Sequence, residues 1–206
     1  MLILPDHEYL DYCGRIDFEK KEEPVFIYAG SYVRLTFTGD SISVRLANRR
    51  AYFTDYIGYI LDGRQGKFSL AEDEEVHSYE IGKRLTGSTH ELLLFKRMDA
   101  CHYFRLCGFE LSEDGELLPQ AALSSRRMEV FGDSVSCGEV SEAVDYVGKE
   151  DPKHDGEFSN SWYSYSWLTA RRLGARLHIT SQGGAALLDK TGWFCGPDYV
   201  GMESIY

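Results

Sequence analysis

Apolar and polar residues alternate with a period of two over much of the first half of the chain. The segments 31–38 and 41–47 each place their apolar side chains at every second position. This spacing is typical of β-strands that bury one face and expose the other. Gly39 and Asp40 lie between the two segments, and such a pair predicts a tight hairpin.

Six further strands are predicted before residue 115, and turn residues separate them. About eight short strands at this spacing, without a convincing helix, predict a sandwich or jelly roll for residues 1–120. The further strands are 25–29, 55–61, 67–70, 76–81, 91–96 and 103–111, and the turn signals are Asp62-Gly63, Gly66, Gly82, Gly87-Ser88 and Asp114-Gly115.

The pattern changes after residue 120. A short apolar strand at 128–131 precedes a polar, glycine-rich stretch, and residues 161–173 predict a helix that Gly174 ends. A second short strand follows at 176–180. Strand, helix and strand in this order indicate a βαβ unit, whose two strands run parallel. Residues 121–206 are therefore predicted to begin an α/β domain.

Charge and composition exclude several classes of function. The chain has 33 acidic residues against 22 lysines and arginines, a formal charge of -11. Such a surface repels phosphate backbones, so nucleic acid is not an expected partner. No apolar run approaches the roughly 20 residues that span a bilayer, and we read no signal peptide, so a cytoplasmic protein without a membrane partner is expected.

The cysteines give no metal or redox motif. Their number is odd, their spacing is irregular, and none forms a C-x-x-C pair, so we expect reduced thiols rather than a zinc site. They are Cys13, Cys101, Cys107, Cys137 and Cys195.

Both predicted strands of the βαβ unit end in residues suited to acyl transfer. Ser134 follows the first strand within Gly-Asp-Ser, and Gly183 and Gly184 follow the second. The carboxyl ends of parallel strands share one edge of a sheet, so Ser134 and the glycines should face one crevice. A serine can attack a carbonyl there while backbone N–H groups bind the oxyanion. The tripeptide alone is more often a turn, but the strand before it and the glycine pair favour catalysis.

Several segments resemble one family of hydrolases. Residues 128–138 (Met-Glu-Val-Phe-Gly-Asp-Ser-Val-Ser-Cys-Gly) resemble the first conserved block of SGNH, or GDSL, hydrolases, and most closely that of the second carbohydrate-esterase family. Residues 160–175 are similar to the helix after that block, and 181–184 to the second block. Residues 30–39 resemble the start of the jelly-roll domain that precedes the hydrolase in these esterases.

This resemblance implies a fold, an activity and a set of residues. The fold would be an N-terminal all-β jelly roll or sandwich followed by the beginning of an α/β/α SGNH hydrolase domain. The activity would be removal of O-acetyl groups from a polysaccharide or oligosaccharide, with Ser134 as nucleophile and no cofactor. The amides of Ser134 and Gly183 would form the oxyanion hole, with Gly184 as the alternative to Gly183.

Aromatic residues around the predicted helix are candidates for contact with sugar. Trp162, Tyr163, Tyr165 and Trp167 could form a stacking wall, although helical spacing favours core packing for at least two of them. We take Trp162 and Tyr163 as the substrate-binding candidates. Cys137, close to Ser134, is expected to be a buried packing residue.

The chain departs from the family in lacking the expected general base. The family's histidine lies in an Asp-x-x-His block near the C-terminus, but no histidine follows Gly184, and 128–206 is short for a three-layer domain. We therefore expect a fragment. The Asp-x-x-His string ending at His154 is expected to be a solvated turn, the one ending at His102 to pack locally, and His178 to be a structural strand residue.

Two other functions remain open from the sequence. A non-catalytic carbohydrate-binding or interaction protein would explain the missing histidine, but would leave the Gly-Asp-Ser block without a role. A hydrolase of lipid esters or thioesters would keep the serine and change the substrate. The sequence does not specify an oligomeric state.

Overall fold

The computed structural model of the chain describes residues 1–193 and 196–205. Most of its regular structure is β-strand, and helices occur only after residue 133 in the described part. The strands are β1 (Leu2–Ile3), β2 (Asp11–Cys13), β3 (Ile16–Asp17), β4 (Val25–Phe26), β5 (Tyr32–Phe37), β6 (Ile42–Arg49), β7 (Tyr56–Leu61), β8 (Arg64–Ser69), β9 (Val76–Gly82), β10 (His90–Lys96), β11 (Tyr103–Leu111), β12 (Leu117–Leu118), β13 (Arg127–Gly132) and β14 (Arg176–Ser181). The helices are α1 (Ser134–Cys137), α2 (Tyr165–Leu173) and α3 (Met202–Ile205), with 3₁₀ turns at Val144–Tyr146 and Ser161–Tyr163.

The first twelve strands form two antiparallel sheets, which confirms the predicted sandwich. One sheet has the order β3-β4-β11-β6-β9, with β1 paired to β11, and the other has the order β12-β5-β10-β7-β8, with β2 paired to β5. Alternate side chains of both sheets form one apolar core, in which Phe26 stacks on Phe104 at 4.7 Å between ring centroids. No helix in the described part of the chain is long and apolar enough to cross a membrane.

The predicted hairpin at Gly39-Asp40 is wrong, because β5 and β6 belong to different sheets. Both strands bury alternate residues in the same core, so the chain crosses from one sheet to the other at this turn. A pattern of period two shows that a strand has one buried face, but not which strand lies beside it. The Asp62-Gly63 pair does form a two-residue hairpin: both residues have positive φ, and Leu61 pairs with Arg64.

Gly66 is not a turn residue, since it lies within β8. A Cβ atom at this position would come within 2.2 Å of the Tyr59 ring on the neighbouring strand. The glycine makes room for an aromatic side chain, which is a common reason for glycine inside a strand.

The predicted strand 103–111 has the same bounds as the observed strand β11.

The second half begins with a parallel strand pair, as predicted. β13 and β14 run parallel over six residue pairs, from Arg127 opposite Arg176 to Gly132 opposite Ser181. The predicted helix 161–173 is interrupted at Ser164, whose backbone is extended. The Ser164 side chain caps α2 by accepting a hydrogen bond from the Trp167 N–H group at 3.2 Å.

A second apolar cluster joins the sandwich to the parallel strands. Trp167 of α2 is 4% exposed and packs against Tyr32 and Phe95 of the sandwich, with ring centroids 5.9 and 5.2 Å away. Leu177 and Ile179 of β14 complete the cluster. The two halves therefore share buried surface.

We expect Trp167→Ala to lower the free energy of unfolding by about 3–5 kcal/mol, because it leaves a cavity where the two halves meet. Leu168→Ala, at the next and half-exposed position of the same helix, should cost under about 1 kcal/mol. Urea denaturation of both variants measures the difference. Equal losses would contradict a shared core at Trp167.

Candidate functional site

Ser134 is the first residue of α1, immediately after β13. The Asp133 carboxylate caps this helix by accepting the Val135 N–H group at 3.0 Å, and Gly138 ends it in the left-handed conformation. Ser134 is partly exposed and lines a depression in the surface, so it is not packed into the interior. A side chain at Gly132 would displace this turn, since its Cβ would lie 2.1 Å from Ser136 Oγ. The strand β13, Gly132 and the Asp133 cap together place Ser134 at the surface.

The loop after β14 begins beside Ser134. Gly132 is opposite Ser181 in the strand register, and the Gln182 N–H group donates to the Gly132 carbonyl at 3.3 Å. Below this edge, Cys137 Sγ lies 2.9 Å from Ser181 Oγ. Cys137 is buried as predicted, and burial raises the pKa of its thiol well above the usual value. Both loops thus leave the same edge of the parallel pair.

Ser134 lines an open depression in the surface, here called the serine depression. Acidic, imidazole and aromatic side chains line it together with Ser134, so the depression can take part in both hydrogen bonding and ring stacking. These side chains are Glu139, Asp151, His154, Tyr163, Tyr165 and Trp193.

The two candidate oxyanion glycines differ in what their N–H groups contact. The Gly183 N–H group donates to Asp99 Oδ2 at 2.7 Å, so it is already hydrogen-bonded to a carboxylate of the sandwich. No hydrogen bond among the described residues uses the N–H group of Gly184 or of Ser134. Gly184 has φ +76°, and its carbonyl accepts the Trp193 N–H group at 2.9 Å. Of the two glycines, Gly184 has the amide that a substrate oxygen could use.

His154 lies in the serine depression, in contrast to the expected solvated turn. Its ring is half-buried against Phe53, with centroids 4.9 Å apart, and Asp151 lines the same depression. His154 Nδ1 accepts the Gly156 N–H group at 3.2 Å. In the neutral ring the proton is therefore on Nε2, so His154 presents a donor rather than a basic lone pair.

The other Asp-x-x-His string packs locally, as predicted. His102 is fully buried, its Nδ1 accepts the Ala51 N–H group at 3.3 Å, and its ring packs edge-on against Tyr52. Its Nε2 atom is buried and has no partner among the described residues. Burial lowers the pKa of His102 to about 4.

Glu139 connects the serine depression to the sandwich. Its N–H group donates to the Ser134 carbonyl at 3.0 Å, directly after α1. Its carboxylate oxygen lies 3.4 Å from where a Cβ of Gly183 would be. Burial, and then the charge of Asp99, raise the pKa of Glu139. A partly buried carboxyl close to a candidate nucleophile is typical of functional sites.

Of the predicted substrate-binding pair, the structure places only Tyr163 in the serine depression. Tyr163 is 46% exposed, and its hydroxyl donates to Gln65 Oε1 at 2.7 Å. Trp162 instead belongs to the shared apolar cluster, where Trp167 lies 4.6 Å away and the Arg171 guanidinium covers its ring at 3.8 Å. Trp162 and Trp167 are therefore the packing members of the aromatic set.

Of the acidic, imidazole and aromatic side chains that line the serine depression, Glu139 and Trp193 were not identified from the sequence. Glu139 follows the Gly-Asp-Ser block directly, and that position could have drawn attention to it. Tyr165 was among the aromatic candidates; it lies at the rim, and its hydroxyl is 2.8 Å from Ser136 Oγ. His178 is half-buried on β14, where burial lowers its pKa.

Among the described residues, the cysteines form neither a disulfide nor part of a candidate metal site. The four cysteines described there are free thiols, and Cys195 lies outside the described residues. Within the same residues, no group of three or more histidine, cysteine or acidic side chains could hold a metal ion.

Comparison with known proteins identifies a family for the first half of the chain. Residues 12–120 match the family model described as carbohydrate esterase 2 N-terminal. A cellulase/esterase of Acetivibrio thermocellus is 28% identical over 194 residues, covering 93% of this chain and 23% of the relative. An acetylxylan esterase / glucomannan deacetylase of Cellvibrio japonicus is 25% identical over 181 residues, covering 87% of this chain and 48% of the relative. The chain thus spans at most about half the length of these relatives.

Solved structures show the same fold. A family two carbohydrate esterase from Clostridium thermocellum in complex with cellohexaose is 26% identical, has a TM-score of 0.81, and matches 94% of this chain and 56% of its own. A family two carbohydrate esterase from Cellvibrio japonicus has a TM-score of 0.85 at 21% identity, matching 100% of this chain and 58% of its own. The second likeness shows the fold alone.

Burial of His102 should make stability depend on pH. The unfolded chain takes up this proton near pH 6.5, whereas the folded chain takes it up near pH 4. Between these values the unfolded state binds more protons, so His102 lowers the free energy of unfolding by up to about 3 kcal/mol as the pH falls. Urea denaturation of His102→Gln at pH 7 and pH 4.5 should give a smaller difference than the wild-type chain gives. An unchanged difference would contradict the lowered pKa.

Proposed function

The chain belongs to the carbohydrate esterase 2 family, whose N-terminal domain it carries, and we propose that its protein removes O-acetyl groups from a polysaccharide or oligosaccharide through Ser134. The observation that carries this proposal is the position of the Ser134 hydroxyl. Ser134 is partly exposed directly after β13 and lines the serine depression, and the loop that carries Gly183 and Gly184 leaves the same edge of the parallel pair. Ester hydrolysis needs such a hydroxyl beside free backbone donors.

The proposed reaction proceeds by acyl transfer in two steps. Ser134 Oγ attacks the carbonyl carbon of a sugar acetate, the hydroxyl proton passes to a base, and the sugar alcohol leaves with a proton. Water then attacks the acetyl-serine, releasing acetate and restoring the hydroxyl. The N–H groups of Ser134 and Gly184 would donate to the oxyanion, and one such donor is worth about 10²–10³ in rate.

We propose that the general base comes from a part of the protein outside this chain. His154 lies in the serine depression, but its Nδ1 is already a hydrogen-bond acceptor. Glu139 also lines the serine depression, and we assign it no proton transfer. The chain's span of 48% of the acetylxylan esterase relative supports a longer protein. We further propose that β13, α2 and β14 are the first elements of an α/β/α SGNH domain.

An acetylated plant glycan is the substrate that the comparisons support best. One relative is named an acetylxylan esterase / glucomannan deacetylase, and one similar structure holds cellohexaose. In the chain, the exposed rings of Tyr163 and Trp193 would stack on pyranose faces. The Nε2–H group of His154 would donate to a sugar hydroxyl or ester oxygen.

Ser134→Ala should reduce hydrolysis of 4-nitrophenyl acetate by at least about 10³-fold, because loss of the nucleophile removes covalent catalysis. The assay uses the intact protein, with Ser136→Ala as the matched control in the same helix. That hydroxyl contacts Tyr165 and does not line the serine depression, so activity should stay within a few-fold of wild type.

Acetate release from acetylated xylan by the same variants checks the substrate class. A wild-type protein that binds acetylated xylan but releases no acetate would favour the non-catalytic carbohydrate-binding alternative. Equal activity of the wild type and Ser134→Ala would exclude Ser134 as nucleophile.

A further inference from the structure

A loop of the sandwich reaches the candidate active site. It connects β10 to β11 and carries Asp99, which is 8% exposed. Asp99 Oδ1 accepts the Cys101 N–H group at 3.1 Å, within its own loop. Asp99 Oδ2 accepts the Gly183 N–H group at 2.7 Å, across to the other half of the chain. One carboxylate therefore ties together two loops that are 84 residues apart in sequence.

The buried Lys96 side chain fixes the backbone of the loop that carries Asp99. Lys96 is fully buried, and its ammonium group donates to the backbone carbonyls of Met98, at 2.7 Å, and of Asp99. The fully buried Asp55 carboxyl interacts electrostatically with the same ammonium group, and burial raises the pKa of Asp55 to about 6. Because a buried cation must satisfy its donors, it fixes the backbone on which Asp99 is carried.

Gly183 has no room for a side chain on the side that faces Asp99. A Cβ there would lie 2.8 Å from Asp99 Oδ2 and 3.4 Å from Glu139 Oε2. The backbone of Gly183 is not in the left-handed region, whereas that of Gly184 is. Close approach of the Asp99 carboxylate therefore explains the first glycine, and backbone conformation explains the second.

We propose that Asp99 is a positioning residue of the esterase site: by holding the Gly183 N–H group, it orients the next peptide so that the Gly184 N–H group is presented to the substrate carbonyl. This inference rests on the proposed function. It makes the sandwich a part of the catalytic apparatus, since a sandwich carboxylate sets the geometry of an oxyanion donor. Asp99 itself touches neither the substrate nor the reacting atoms.

The test compares Asp99→Ala with Asp99→Asn in the intact protein, using 4-nitrophenyl acetate. The alanine variant should lose about 10- to 100-fold in kcat with little change in KM, because a misplaced oxyanion donor weakens transition-state binding alone. The asparagine side chain keeps one oxygen that can accept the Gly183 N–H group, while its amide nitrogen replaces the oxygen that accepts from Cys101, so this variant should lose clearly less of kcat than the alanine variant. Asp11→Ala is the control: it removes another sandwich carboxylate, one that accepts from Arg34 at 3.0 and 2.6 Å, and should keep the wild-type kcat.

Amide hydrogen exchange at Gly183 provides a readout that does not depend on activity. Exchange should be about tenfold faster or more in Asp99→Ala, and closer to wild type in Asp99→Asn, because a bond to a charged acceptor protects the amide. Unchanged exchange at Gly183, equal kcat losses in both Asp99 variants, or an equal loss in Asp11→Ala would overturn the inference. A wild type no more active than Ser134→Ala would instead refute the proposed function and, with it, the catalytic role of Asp99, while exchange would still show whether Asp99 holds the loop.

Discussion

The parallel pairing of β13 with β14 is the constraint on which the candidate site depends. Because parallel strands point the same way, the residues after both carboxyl ends emerge at one edge. The register places Gly132 opposite Ser181, so the α1 turn and the glycine loop start side by side. Two strands are too few to be stable alone. They are held against the sandwich by the apolar cluster around Trp167 and Phe95, so the position of Ser134 depends on packing with the first half.

The sandwich contributes charge as well as support to this site. Its β10–β11 loop delivers a carboxylate to the edge of the parallel pair, and Glu139 lies between that carboxylate and the serine depression. A Cβ atom at Gly183 would lie 2.8 Å from Asp99 Oδ2 and 3.4 Å from Glu139 Oε2, so carboxyl groups from both halves meet beside this glycine. A sandwich that only bound glycan at a distance would need no such contact.

Much of the architecture could be predicted from the sequence, because one-sided burial leaves a period of two. The strands 31–38 and 41–47 could be predicted for that reason. The strands that pair with them could not, and the predicted hairpin between them was wrong. The interruption at Ser164 was also missed: a serine inside a helical pattern gives no sign that its side chain caps a new helix. The adjacency of Ser134 and the glycines was predictable from strand direction alone.

The details of the site lay beyond sequence reasoning, because they arise from contacts between distant segments. Nothing near Gly183 indicates that Asp99 occupies its N–H group, and the choice between Gly183 and Gly184 depends on that contact. His154 entered the serine depression in the same way, through the path of a long loop. Trp162 and Tyr163 are adjacent in the chain, but one packs inside and the other faces solvent.

The crossing between the two sheets at Gly39 has a consequence for how the chain folds during its synthesis. Among the described strands of the sandwich, only β3 with β4 and β7 with β8 pair with their immediate successors. Every other strand pair joins segments that are distant in sequence. β5 needs β10 and β12 before both of its edges are hydrogen-bonded to neighbouring strands. A nascent chain leaving the ribosome therefore cannot close either sheet until residues past 110 have emerged, and such late, non-local pairing slows folding. Until then its apolar strands are exposed together, which is the period in which molecular chaperones would act on it.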